Sequence, residues 1–295
     1  MTDAIISILL AMPLVGAYAI FGLGIVVIYQ ASRVLNLAHG GQAMFSAFLY
    51  FQMTNWGIPP VMALAIGIAI GGGLGYAVER FFVRPLRGVS QTAQTVGTVA
   101  AFGLFVAVAS QIWGTGGERV DKVFPDGTVE IGRSFISYSE IGLFGVMLVV
   151  SAALFAFLRF TDYGLAMRGT ADNRRAASLM GIDPDLATSA AWILGGATAA
   201  LAGILLGAAT TVHPVVLSLQ AIPAFVAALI GGMGSLPGAL AGAGVVGAAQ
   251  GLAPVLPFTK DLDGGPEVIL AVVAFVVMAS RGQTIVAGDV RGGVL

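Results

Sequence analysis

Cysteine is absent from the 295 residues, histidine occurs twice, and lysine stands only at Lys122 and Lys260. Without cysteine there is no disulfide framework, no thiolate metal site and no cysteine nucleophile. Neither lysine follows a glycine-rich loop, so the chain carries no Walker A phosphate cradle. Charge is scarce as well. Asp, Glu, Lys and Arg make up 10% of the chain, where a soluble domain carries roughly 25%. Fourteen cations against fifteen anions leave a net charge of -1. There is no basic surface for nucleic acid, and the apolar excess excludes disorder.

What is present is apolar: 57% hydrophobic residues, 42 glycines and a mean hydropathy of +0.93. Such a surface cannot face water, and the sequence predicts an all-α polytopic membrane protein. About eight transmembrane helices are expected, including a broken or re-entrant pair, in a single transmembrane domain over residues 1–295. A helix needs roughly 20 apolar residues to cross the bilayer. Ala4–Ile28 meets this, and Met1-Thr2-Asp3 lacks the basic start of a cleaved signal peptide, so this span reads as retained. The charge-free run Val34–Val78 divides at Thr54–Pro60, which has turn chemistry and an interfacial Trp56. Thr92–Trp113, Ile141–Leu158 and Leu186–Thr210 follow. Between them lie a polar loop (114–140), with a hairpin signal at Asp126-Gly127, and a charged loop (159–185). The charge-free Thr211–Thr259 is interrupted by Gly231–Gly238, where two helices meet as a re-entrant hairpin or two short spans. A last span runs from about Gly265 to Ser280.

Ten arginines (Arg33, Arg80, Arg84, Arg87, Arg159, Arg168, Arg174, Arg175, Arg281, Arg291) alternate to one face. Arg119, Lys122, Arg133 and Lys260 fall on the other, beside Asp261 and other acids. Basic loops stay cytoplasmic, so the N-terminus is expected outside and the C-terminus inside. Gly67, Gly71 and Gly75, then Gly195, Ala199, Gly203 and Gly207, form small-residue stripes suited to tight helix packing; pore lining or a sliding contact is the other reading. No carboxylate or lysine lies mid-span, which argues against a proton- or sodium-driven carrier. Glu267, near the outer end of the last span, reads as an interfacial carboxylate or a substrate contact.

Two polar segments could carry function. In Asn36-Leu37-Ala38-His39-Gly40-Gly41-Gln42, polar side chains beside apolar ones must find partners. His39 alone makes a poor metal site, and a structural histidine is the simpler reading. In Arg168–Pro184, Thr170 is a plausible N-cap, Asp172 sits in the first turn, and Gly181 then Pro184 mark a stop. The expected product is a helix of about ten residues. Ala176, Ala177, Leu179 and Met180 would give it an apolar side, Arg174 and Arg175 a basic one. It could bind headgroups or dock in a groove on a cytoplasmic partner.

Arg33–Gly40 (Arg-Val-Leu-Asn-Leu-Ala-His-Gly), Glu79–Gly88, Tyr163–Asp172 and Gly231–Ala239 together resemble the branched-chain amino acid ABC transporter permeases. The resemblance is to the subunit with the Asn-x-Ala-His-Gly segment. It implies a bacterial inner-membrane transport subunit that is not itself an enzyme and holds no cofactor, ATP and Mg being bound by two separate cytoplasmic ATPases. A second, homologous permease (or a second copy) and an extracytoplasmic substrate-binding protein complete the implied set, within the lipid bilayer and without nucleic acid. It also implies that Arg168, Thr170, Asp172, Arg174, Arg175, Ala176, Ala177, Leu179, Met180 and Gly181 belong to the loop that couples to the ATPase. Arg175 stands where many relatives have an acid. Asn36, His39, Gly40, Gly232, Gly234 and Ser235 are then expected along the translocation path. Branched-chain amino acids are the first solute reading, with urea, short amides or another small solute as the alternative. A self-contained facilitator would show flux alone; an intramembrane enzyme using His39 or His213 lacks convergent groups.

Overall fold

A computed structural model describes residues 7, 11–121, 123–125, 127–131, 134–259 and 262–290. Lys122, Asp126, Arg133, Lys260, Asp261, Arg291 and most of the first residues of the Ala4–Ile28 span lie outside them. The helices are α1 (Met12–Ser32), α2 (His39–Asn55), α3 (Pro60–Val78), α4 (Gln91–Trp113), α5 (Tyr138–Phe160) and α6 (Asp162–Asp172). They continue with α7 (Arg174–Leu179), α8 (Pro184–Ala209), α9 (Pro214–Leu219), α10 (Ala221–Gly231), α11 (Leu236–Gly251) and α12 (Gly265–Val290). Among the described residues, six stretches are long and apolar enough to cross a bilayer: α1, α3 with its continuation to Leu86, α4, α5, α8, and α9 with α10. The chain is a multi-pass membrane protein.

The caps explain where the helices begin. Ser90 accepts from the Ala93 amide at 3.0 Å, starting α4, and Asp183 accepts from Asp185 at 2.8 Å, starting α8 with Pro184 in its first turn. Ser137 and Glu140 form a capping box on α5. His213 Nδ1 accepts from the Val215 amide at 3.2 Å and starts α9, so this histidine serves as a cap. Trp56 and Gly57 (φ +81°) close α2 before Pro60 opens α3, at the expected break.

Three expectations are corrected. The polar loop does hold a hairpin, β1 (Thr128–Ile131) paired with β2 (Ser134–Ser137), but Ile131 pairs with Ser134. Gly127 thus lies before β1 rather than between the strands, and its carbonyl accepts from the Tyr138 amide at 2.9 Å. The last helix runs ten residues past Ser280, to Val290. The charged loop contains two helices rather than one, as described below.

α8 is the axis of the packing, lying against α3, α1 and α2. Its two small-residue faces divide the work. Gly195 meets Ile28 and the Gly24 carbonyl of α1, and Gly203 meets the Ala43 backbone of α2. On the other face, Gly196 lies against the Gly71 carbonyl and Gly75 of α3. A Cβ on Gly71 would overlap Ala200, and one on Gly75 would overlap the Trp192 carbonyl. Lipid offers no hydrophobic drive for helix association, so this backbone-to-backbone approach holds the bundle. α10 and α11 use the same device, Gly231 on Gly238 and Gly242 on Ala227.

Candidate functional site

Arg33 closes α1 in the left-handed region (φ 57°) with its amide on the Tyr29 carbonyl. The chain then turns back inward as irregular backbone. Leu37 donates to Thr98 Oγ1 at 3.0 Å, and that hydroxyl lies 3.1 Å from the Leu35 carbonyl. One threonine, seven residues into α4, thereby satisfies a peptide amide that the bilayer cannot, and its single proton is shared between the Leu35 carbonyl and the nearer Thr95 carbonyl (2.7 Å). Asn36 donates to Gln42 Oε1 at 3.1 Å, and both side chains are buried. His39 is fully buried and starts α2 beside Gly24, Thr198 and the Phe21 ring. Gly24 is eight residues from the end of α1, placing His39 roughly 12 Å inside. Gly40 sits on the Ser218 carbonyl of α9, where a Cβ could not fit.

Gly232, Gly234 and Ser235 form the α10–α11 turn at the arginine-rich end. Gly232 takes φ +89°, Ser235 accepts from the Gly238 amide at 3.0 Å, and Gln30 donates to the Gly234 carbonyl at 2.6 Å. The two groups expected on the path are thus held apart, one mid-bundle against α9, the other at the end of α1.

The charged loop folds differently from the expectation. Thr161, not Thr170, is the first N-cap, accepting from Gly164 at 3.1 Å, and it starts α6. Thr170 lies inside α6, buried at 4% exposure, because its helix began nine residues earlier. Asn173 breaks the chain and caps α7, accepting from Ala176 at 2.9 Å. The helix expected to span about ten residues therefore has six. Gly181 (φ +83°) ends it, as expected.

Arg174, though 44% exposed, bonds Asp185 and Thr188 Oγ1 (3.3 Å), and Arg175 is exposed as well. Burial first, then the Arg87 cation, draw the Arg174 guanidinium below its ordinary value against the pull of Asp185. Arg168 donates to the Leu158 carbonyl at the end of α5, and Asp172 pairs with Arg33 at 3.3 Å. Ala177 is buried, while Ala176 is exposed and Leu179 and Met180 are 84% and 82% exposed. A firmly tethered short helix thus presents a bare apolar tip.

Beneath it lies an ionic cluster that sequence reasoning missed. α3 continues through a π turn (Glu79–Val83) and a 3-10 turn (Arg84–Leu86), since Pro85 cannot donate within a regular helix. This elbow buries Glu79 completely. Arg84 grips it through two bonds, 3.1 and 2.9 Å, Arg87 pairs with it too, and Ser189 of α8 donates to it at 3.1 Å. Arg87 reaches Asp185 at 2.5 Å. The signal was available: a carboxylate directly after a charge-free span needs partners, and Arg84 and Arg87 follow five and eight residues on. Between this cluster and α6 lies a cavity of about 280 Å³ lined by Arg33, Arg87, Gln94, Thr170, Arg174 and Thr188 among others.

Comparison with known proteins adds the following. The family described as "Branched-chain amino acid transport system / permease component" matches residues 7–280. The chain is 29% identical to the high-affinity branched-chain amino acid transport system permease protein LivH of Salmonella typhimurium, over 83% of this chain and 84% of that one. It is 29% identical to BraD, the permease protein of the same description from Pseudomonas aeruginosa, over 79% and 80%. It is 26% identical to a probable LivH of Methanocaldococcus jannaschii, over 79% and 76%.

Proposed function

The chain belongs to the family of branched-chain amino acid transport system permease components, and on that footing we propose that it carries branched-chain amino acids inward across a bacterial plasma membrane. It is a permease subunit of an ABC importer. In the proposed assembly two cytoplasmic ATPases, holding ATP and Mg, supply the work. A second homologous permease or a second copy completes the pore, and an extracytoplasmic binding protein delivers the solute. The N-terminus is outside and the arginine-rich end cytoplasmic, in keeping with the basic bias of its loops.

The observation that carries this reading is the bare Leu179–Met180 tip on a helix bound to α8 and linked through Asp185 and Arg87 to the elbow after α3. An exposed apolar pair at the end of a tethered helix suits a groove on a cytoplasmic partner. Closure of the ATPase pair pushes α7. Arg174 and Asp185 pass the displacement to α8, and Arg87 and Glu79 pass it to the α3 elbow. Packed small-residue helices move as rigid bodies between two arrangements, so a local push becomes a change of access. Asn36 keeps irregular backbone within the bundle ahead of His39, Gly40 and Gln42 in the first turn of α2, and Gly232, Gly234 and Ser235 form the turn at its cytoplasmic end.

The test is co-purification with the ATPases after Leu179→Asp or Met180→Asp. Losing a central apolar anchor costs about 2 kcal/mol or more, so ATPase retention should fall at least about tenfold while the permease remains folded in detergent. Undiminished retention would overturn the assignment. Proteoliposomes holding the complete assembly should take up leucine with ATP inside and the binding protein outside; uptake of urea in its place would overturn the solute.

A further inference from the structure

A cavity of about 630 Å³ opens between α1, α9–α10, α11 and α12 and shares no residue with the segments discussed above. Its walls are aliphatic, with Leu14, Leu219, Ile222, Val226 and Leu270 among them. Four polar side chains interrupt that wall. Tyr18 donates its hydroxyl to Gln220 Oε1 at 3.3 Å. Gln250, 6% exposed, has an Oε1 with no hydrogen-bond partner. Glu267, exposed in the first turn of α12, completes the lining. Among the described residues, neither Lys nor Arg lines the cavity.

This composition specifies a ligand chemistry. A buried acceptor without a donor is costly in a membrane protein, and here it shares a cavity with a carboxylate that no lining cation among the described residues neutralises. The missing group is a hydrogen-bond donor bearing positive charge. The aliphatic wall requires that this donor be joined to an apolar body. Cavities of roughly 300–1,000 Å³, mostly apolar with a few placed polar groups, are the usual form of a small-molecule site.

We propose that this cavity is a subsite for the transported solute, holding the ammonium of an aliphatic amino acid between Gln250 Oε1 and the Glu267 carboxylate, with its side chain against the aliphatic wall. The proposal rests on the solute assigned in the preceding subsection. It gives Glu267 a substrate contact, and it gives Gln220, already bound by Tyr18, the role of fixing the polar end of the cavity. An ethanolamine phospholipid also joins an ammonium to an apolar body, and the test separates the two sources.

The complete assembly is reconstituted with wild-type permease, Gln250→Leu, Gln250→Glu or Glu267→Gln, and leucine uptake is measured beside binding-protein-stimulated ATP hydrolysis. Loss of a charge-assisted contact should lower uptake at least about tenfold in Gln250→Leu and Glu267→Gln. ATP hydrolysis should stay within about twofold, and Gln250→Glu should keep uptake within about threefold. Unchanged uptake in both disabling variants overturns the subsite, and so does a parallel loss of uptake and hydrolysis in both, which is the mark of a merely structural role. Replacing ethanolamine lipids by choline lipids should leave the Gln250→Leu defect intact. A defect that disappears with those lipids makes the lipid the occupant and overturns the solute subsite. Absence of uptake by the wild type would instead refute the functional reading itself.

Discussion

Arg174 of α7 and Asp185 of α8 are ion-paired across the Gly181 turn, and Asp185 simultaneously meets Arg87 at 2.5 Å. Arg87 in turn holds Glu79, which is fully buried. The exposed tip of α7 is therefore connected to two spanning helices through charged side chains rather than through a slack loop. Three arginines (Arg84, Arg87, Arg174) share two carboxylates (Glu79, Asp185), so removing either acid leaves cations facing one another.

Asp185→Asn keeps the volume and removes the shared charge. Asp185 is half exposed, so solvent screens the pairs and the stability loss should stay near about 1 kcal/mol. Force transmission should suffer more: leucine taken up per ATP hydrolysed is expected to fall several-fold, measured in proteoliposomes. An unchanged ratio would show that the pair does not transmit.

Glu79→Gln acts on a buried charge. Breaking a buried pair on one side costs about 3–5 kcal/mol, so the melting temperature in detergent should drop clearly further than for Asp185→Asn. Equal melting temperatures would contradict the burial of this carboxylate.

Two neighbouring glycines provide an internal control for helix packing. Gly71 lies against Ala200 and the Gly196 carbonyl, whereas a Cβ on Gly73 meets nothing within 4 Å. Gly71→Ala should destabilise by about 1–3 kcal/mol through overpacking. Gly73→Ala should be neutral or slightly stabilising through helix propensity. Thermal melts of the two variants check this, and the reverse order would refute the α3–α8 contact.

Spans were largely legible because charge marks where the bilayer ends. The division at Thr54–Pro60 and the interruption at Gly231–Gly238 appear where turn chemistry put them. The coupling segment was less legible. Thr170 and Asn173 are both competent caps, and nothing local shows that Thr161 has already started a helix, which depends on Gly164 seating against the Leu158 backbone. The Glu79–Asp185 cluster joins residues far apart in the chain, so only the packing of α3 on α8 reveals it. Gly127 carried a turn signal yet lies before β1, which only the register of β1 on β2 reveals.

The absence of cysteine permits a clean test of orientation. Trp56→Cys and Leu179→Cys place single thiols at exposed positions of opposite ends. In intact cells a membrane-impermeant maleimide should label the first and spare the second until the membrane is opened. Labelling of Leu179→Cys from outside would reverse the assigned topology.

The central claim is that movement of solute requires work delivered through α7, the sequence itself carrying no Walker A motif. Leucine flux is to be measured in vesicles containing the permease alone and in vesicles containing the permease with its ATPases, partner permease and binding protein. ATP-dependent accumulation only in the complete assembly is the predicted result. Rapid leucine equilibration through the permease alone would contradict the account.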